Sequence, residues 1–203
     1  MPIKNLIFDF GKVLVDYDFD LLFRRIFPDE ATRRGFCASI DKPEYVKMMD
    51  RGLKPFPEII EDLIVLHPDL EAELRTFCAR KPEVVLGEMP GMRDLLQRYK
   101  AQGYKLYGLT NWDTQVYVTI GQFGIFELLD DRIISSEEHF IKPEPEIYLR
   151  LCEKFGVKPE ECVFADDRVE NIEGARALGM HGIVFKDAEQ YEGELKELIR
   201  TSL

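Results

Sequence analysis

Short apolar runs alternate with amphipathic segments along this chain, and that alternation restricts the fold more than any other feature of the sequence. Residues 3–8 are apolar-rich and end at Asp9, residues 105–109 lead to Thr110-Asn111, residues 161–165 lead to Asp166-Asp167, and residues 181–185 form a fourth run. Residues 132–134 are a weaker candidate. Runs of this kind, flanked by helices, are strands of a parallel sheet buried on both faces, where a half-exposed hairpin would alternate. Between them, residues 91–102 place Met92, Leu95, Leu96 and Tyr99 on one stripe and stop at Gly103. Residues 145–155 do the same with Ile147, Leu151, Cys152 and Phe155 before Gly156, and residues 169–178 end at Gly179. A glycine just past the last turn is the ordinary helix stop. Strand following helix following strand predicts right-handed βαβ units and a doubly wound α/β fold with a mainly parallel sheet.

Residues 16–87 interrupt this rhythm. They contain no convincing strand, and Leu21, Leu22, Arg25 and Ile26, then Ile59, Ile60, Leu63 and Ile64, recur at helical spacing. Pro28, Pro43, Pro55, Pro57, Pro68 and Pro82 divide the stretch into four or five short helices. The expected organisation is a core of residues 1–15 and 87–203 with an all-α cap of residues 16–86 inserted after the first strand. Such a cap would lie over the carboxyl edge of the sheet, where open α/β sheets bind ligands.

Composition narrows the partners. A length of 203 residues suits one domain with an insertion, and 45% apolar with 32% charged residues is a globular balance. Lys and Arg number 27 against 38 Asp and Glu, a net charge of −11, which disfavours nucleic acid and anionic membranes. Uninterrupted apolar runs reach only residues 63–66 and 162–165, too short to span a bilayer. The first residues meet Asp9 too early for a signal-peptide core. Cys37, Cys78, Cys152 and Cys162 lack metal-ligand spacing, so four reduced, mostly buried thiols and a cytoplasmic location are expected.

In a parallel sheet the strand ends all point one way. Asp9, Thr110, Asn111, Asp166 and Asp167 therefore converge, with Lys142 in the loop before a helix. Three carboxylates in one place repel unless a positive charge sits among them, and a hard divalent cation such as Mg²⁺ answers that need. Metal, ammonium, hydroxyl and amide together suit a phosphate dianion, with Asp9 as a carboxylate nucleophile.

Four segments carry a resemblance. Leu6-Ile7-Phe8-Asp9-Phe10-Gly11, Gly108-Leu109-Thr110-Asn111, Ile141-Lys142-Pro143 and Val163-Phe164-Ala165-Asp166-Asp167-Arg168-Val169-Glu170-Asn171 stand in order. With them the chain resembles, over nearly its whole length, the haloacid dehalogenase superfamily, in its branch with a helical cap. The resemblance implies a Rossmann-like core and a cytoplasmic Mg²⁺-dependent phosphatase that forms an aspartyl phosphate at Asp9. Asp9, the Gly11 carbonyl and Asp167 would hold the metal, with Asp166 a second or water-mediated ligand. Thr110, Asn111 and Lys142 would hold the phosphoryl oxygens, Lys142 also pairing with Asp9, while Asn171 supports the last loop. The expected partner is a small phosphorylated metabolite, a sugar phosphate among the options, with the chain acting as a monomer or weak dimer.

One departure stands out. Most phosphatases of the superfamily carry a second Asp, the general acid/base, where this chain has Gly11, and Lys12 takes the place of a usual glycine. Asp16, Asp18 or a residue of the cap could substitute; alternatively the leaving group needs little proton assistance, as in the sugar-1-phosphate phosphatases that share the Asp-x-Gly form. The alternatives in function are a 2-haloacid dehalogenase using Asp9 without metal, and a weakly active binding or regulatory protein. No serine-hydrolase elbow, Walker loop or dinucleotide glycine motif is present. His67, His139 and His181 read as ordinary histidines, and Arg24-Arg25 and Arg33-Arg34 as solvated helix faces. Trp112 and Asp113 either line the site or serve as a cap contact and a helix N-cap.

Overall fold

A computed structural model describes residues 2–27, 29–40 and 43–202; Pro28, one of the expected helix breaks, lies outside them. The strands are β1 (Asn5–Phe8), β2 (Val15–Tyr17), β3 (Val85–Glu88), β4 (Lys105–Thr110), β5 (Asp131–Ile134), β6 (Cys162–Asp166) and β7 (His181–Val184). Five of them form one sheet in the order β5-β4-β1-β6-β7, every pair parallel. All five apolar segments of the sequence are in it. β1 is central, and its register sets Phe8 opposite Gly108 and Ala165. The ladder runs one residue further, where Asp9 N donates to Ala165 O at 2.9 Å. Asp9 and Asp166 thus come out level at one edge, with Thr110 one residue further along β4.

The sheet is covered on both faces because its side chains alternate in direction and are apolar in both. Leu6, Phe8, Leu106, Val163, Ala165 and Ile183 share a cluster with Met92, Leu95 and Leu96 of α6 (Met92–Ala101) and Tyr191 and Leu195 of the C-terminal helix (Ala188–Ser202). Ile7, Tyr107, Leu109, Ile133 and Phe164 pack on Ile147, Tyr148 and Leu151 of the helix Pro145–Phe155 and on Ile172 and Ala175 of the helix Val169–Ala177. The helices stop at the glycines, with Gly103, Gly156 and Gly179 all at positive φ.

Between β2 and β3 stand α1 (Phe19–Ile26), α2 (Glu30–Ile40), α3 (Pro43–Asp50), α4 (Phe56–Leu66) and α5 (Glu71–Arg80), followed by a 3₁₀ turn, Lys81–Val84. Their rings stack on one another: Phe23, Phe36, Phe56 and Phe77 meet edge to face at 5.3–5.6 Å between centroids. That aromatic nucleus is continuous with the cluster on the sheet. The expectation of no strand in residues 16–87 is corrected here. β2 and β3 pair antiparallel, Val15 with Glu88 and Asp16 with Gly87, and close the insertion at its base. Each is too short for a periodic signal, and the pairing joins segments some seventy residues apart. The thiols are also corrected in part: all four cysteines are unbridged, but only Cys162 is buried and the others are half-buried.

Candidate active site

Asp9, Gly11, Thr110, Asn111, Lys142, Asp167 and Asn171, from the sheet edge, line one cavity of about 310 Å³, together with Tyr17, Phe19, Met49, Asp50 and Lys81 from the β2–β3 stretch. The site lies where the insertion meets the sheet. Asp9, Asp166 and Asp167 each bring a carboxylate oxygen within 4.8 Å of the others. Burial pushes Asp9 up to about 6, Lys142 opposing it and Asp166 adding to it. Asp167 is also raised, by burial and then by the Asp166 charge.

Lys142 is the cation among them. Its three N–H donors are all spent: on Asp9 Oδ1 at 2.8 Å, Asp166 Oδ2 at 2.7 Å and Leu109 O at 3.0 Å. Burial alone would lower its pKa, but the two carboxylates outweigh that and raise it, so the ammonium persists. In this geometry Lys142 neutralises and aims Asp9, and it has no donor left for a phosphoryl oxygen. Asn111 is likewise engaged. Its Nδ2 donates to Lys142 O at 2.9 Å and its Oδ1 accepts from Lys142 N at 2.8 Å, which clamps the Lys142 loop to the end of β4. One N–H of the carboxamide remains for the cavity.

Asp166 is fully buried and saturated. Asn171 Nδ2 donates to both of its oxygens at 3.0 Å, Arg168 N to Oδ1 at 2.9 Å and Lys142 Nζ to Oδ2. Four bonds fill a carboxylate's four lone-pair positions. Tyr148 OH holds Asn171 in turn, donating to its carbonyl at 2.7 Å. Asp9 differs: Oδ1 takes Lys142 and Phe10 N (2.7 Å), while Oδ2 has no partner among the described residues.

Around Gly11 the geometry explains the departure from Asp-x-Asp. A Cβ there would lie 2.7 Å from Tyr17 Cε1, so the ring of Tyr17 stands where a side chain at position 11 would start. Burial, then the nearby Asp167 and Asp9 charges, keep the Tyr17 phenol protonated. Lys12 holds φ 62, the left-handed conformation a glycine adopts freely. Its side chain turns away from the cavity to Asp16 at 2.5 Å and lies 4.9 Å over the Tyr17 ring.

Asp16 and Asp18, the carboxylates nearest in sequence, are therefore both taken: Asp16 by Lys12, and Asp18 as the N-cap of α1, accepting from Leu21 N at 2.9 Å. Asp113 does two things the sequence left open. It accepts from Gln115 N at 2.7 Å and forms a buried ion pair with Lys81, while lining the cavity. Trp112 lines it too. The arginine pairs do not: Arg24 pairs with Asp20 and Arg34 with Glu30 on exposed helix faces. Sequence reasoning missed Tyr17, Asp50, Lys81 and Gln115, none of which belongs to a spaced motif.

The family model for haloacid dehalogenase-like hydrolases matches residues 3–179. The chain belongs to that family. Among curated relatives it is 28% identical over 149 residues to flavin mononucleotide hydrolase 1 of Arabidopsis thaliana, covering 73% of this chain and 60% of that protein. It is also 28% identical to a phosphorylated carbohydrates phosphatase of Thermotoga maritima, over 89% of this chain and 83% of the relative. The chain thus spans less than two thirds of the first of these. In structure it is similar to a haloacid dehalogenase family enzyme of Bacteroides thetaiotaomicron solved as a magnesium complex. The TM-score is 0.78 at 21% identity, covering 97% of this chain and all of the other, a likeness of fold. No helix among the described residues of this family member is long and apolar enough to cross a membrane.

Proposed function

We propose that this hydrolase is a Mg²⁺-dependent phosphatase of a small phosphorylated metabolite, with Asp9 as nucleophile. The observation that carries the reading is the pairing of Asp9 with Lys142 in a cavity that Asp167 also lines. The donor set fits a divalent cation. Three carboxylates lie within 4.8 Å while one ammonium stands among them, so negative charge is in excess by two. Asp9, Asp167 and the Gly11 carbonyl would hold the ion, and Asp166, with its lone pairs filled, would act through Lys142 and Asn171. When bound, Mg²⁺ supplies positive charge to the phosphoryl oxygens.

The chain's own residues do the rest. Asp9 Oδ2 attacks phosphorus and the ester P–O bond breaks, leaving an aspartyl phosphate that water hydrolyses. Lys142 keeps Asp9 ionised and oriented. The Thr110 hydroxyl and the remaining Asn111 N–H offer hydrogen bonds to the equatorial oxygens. Residues 16–86 act as a cap, and Phe19, Val46, Met49 and Trp112 give the non-phosphate part of the substrate an apolar wall.

The test is turnover of p-nitrophenyl phosphate and a sugar-phosphate panel, with Mg²⁺ and with chelator, in wild type and Asp9→Asn. Metal-dependent release of phosphate that vanishes in Asp9→Asn is expected. Metal-independent halide release from a 2-haloacid, with no phosphatase activity, would overturn the reading.

A further inference from the structure

With glycine at position 11, no side chain there can protonate the departing oxygen, and Asp16 and Asp18 are engaged elsewhere. Apart from Asp9 and Asp167, the carboxylates lining the cavity are Asp50 and Asp113. Asp113 is occupied by Lys81 and Gln115 N. Asp50, the last residue of α3, is half-buried, and its carboxylate has no hydrogen bond or ion pair among the described residues.

Its backbone, by contrast, is seated firmly on the sheet domain. Asp50 O accepts from Ser135 Oγ at 2.5 Å. Arg51 donates to His139 O at 3.2 Å and pairs with Glu144, and Arg51 O meets His139 Nδ1 at 2.7 Å. Gly52 takes φ +61, and a Cβ on it would stand 2.0 Å from Ser136 O, so the turn lies flat on residues 135–139. Three consecutive residues thus fix one unpartnered carboxyl at the wall of the cavity that Asp9 also lines, on the side of the insertion.

We infer that Asp50 is the general acid and base of the reaction, a role that rests on the phosphatase reading. As Asp9 bonds to phosphorus and the ester P–O bond breaks, the Asp50 carboxyl gives its proton to the leaving oxygen, releasing the alcohol. The Asp50 carboxylate then takes a proton from the water that attacks the aspartyl phosphate. Phosphate leaves, Asp9 is restored as carboxylate and Asp50 is protonated again. The charge environment agrees with this role. Burial, then Asp113 and more weakly Asp9, outweigh the pull of Lys81 and Lys142 and push Asp50 up to about 7. A group with that pKa is matched to proton transfer near neutrality.

The experiment compares two esters of like shape and different leaving ability, phenyl phosphate and p-nitrophenyl phosphate, in wild type, Asp50→Asn and Asp50→Glu with saturating Mg²⁺. p-Nitrophenolate departs with little proton assistance, whereas phenolate needs it. Asp50→Asn should lose kcat/KM on phenyl phosphate by about 10²-fold or more, and on p-nitrophenyl phosphate by less than about tenfold, with Asp50→Glu recovering part of the loss. Wild-type kcat/KM on phenyl phosphate should fall as pH rises through the Asp50 ionisation, a limb absent from Asp50→Asn. Equal losses on both esters, no loss on either, or a limb that survives in Asp50→Asn would overturn the inference while leaving the phosphatase reading intact. A wild type inert toward both esters would overturn both together.

Discussion

Single atoms decide what position 11 can be. The Tyr17 ring occupies the space in which a side chain there would begin, so Gly11→Ala should cost about 1–3 kcal/mol by overpacking, and Gly11→Ala with Tyr17→Ala should recover most of it. Thermal melts of the three variants check this; equal costs with and without Tyr17 would show that the ring is not the obstacle. The same scale sets the pH range of metal binding. Asp9 is raised by burial to about 6, so below that pH the proton competes for the oxygens the ion needs. Mg²⁺ affinity measured by calorimetry should weaken as pH falls through 6, with proton release on binding near pH 6, and a flat profile from 5 to 7 would contradict the assignment. Asp50 carries a linkage of its own. Its folded pKa, about 7, lies above the unfolded value of 3.8, so the unfolded chain ionises first and stability is lost as pH rises between those two values, levelling off above 7. Asp50→Asn should therefore melt higher than wild type at pH 8, by about 2–4 °C for each kcal/mol regained, and the difference should shrink at pH 5. Asp9, Thr110, Lys142 and the Asp166-Asp167 pair were legible because each ends or follows a recognisable run. Asp50 and Tyr17 were not, because nothing in their neighbourhoods distinguishes them from other polar residues of short helices and turns.

Between elements, the buried pair of Lys81 and Asp113 ties the 3₁₀ turn that ends the insertion to the loop after β4. Both side chains are nearly inaccessible, and the Lys81 ammonium also sits 4.2 Å over the Phe56 ring. Removing one partner leaves a buried charge alone. Lys81→Met is expected to destabilise by about 3–5 kcal/mol, and Lys81→Met with Asp113→Leu by much less, since two apolar groups need no compensation. Denaturant titrations of the double-mutant cycle read this directly. A double variant as unstable as the sum of the singles would argue against a coupled pair. The five parallel strands and the three core helices at residues 92–101, 145–155 and 169–177 were readable from periodicity and glycine stops, whereas the C-terminal helix Ala188–Ser202 was not read. The β2–β3 pair was not, because an antiparallel contact of so few residues has no local signature and exists only once the insertion has brought its two ends together.

For the molecule as a whole, the question is how the insertion is held over the sheet. The turn at residues 50–52 is one anchor, through Arg51 to His139 and Glu144. Arg51→Ala should release it by about 1 kcal/mol, because the pair is partly shielded from solvent. Amides of α3 should then exchange about fivefold faster in hydrogen-exchange mass spectrometry, while those of β1 and β4 stay protected. Uniform acceleration across the chain would mean that the insertion and the sheet open as one unit.

Sequence was enough to define the strands of the sheet, three of the helices that cover it and the edge at which the acids gather, because burial on two faces demands apolar runs and parallel strands point one way. Folding in three dimensions decided the rest. It spent the donors of Lys142 and the lone pairs of Asp166 on one another, seated a tyrosine ring where an aspartate is usual, and brought a carboxyl from α3 into the cavity that Asp9 lines. Those outcomes depend on side chains far apart in sequence competing for the same few ångströms, and no local pattern encodes which of them prevails.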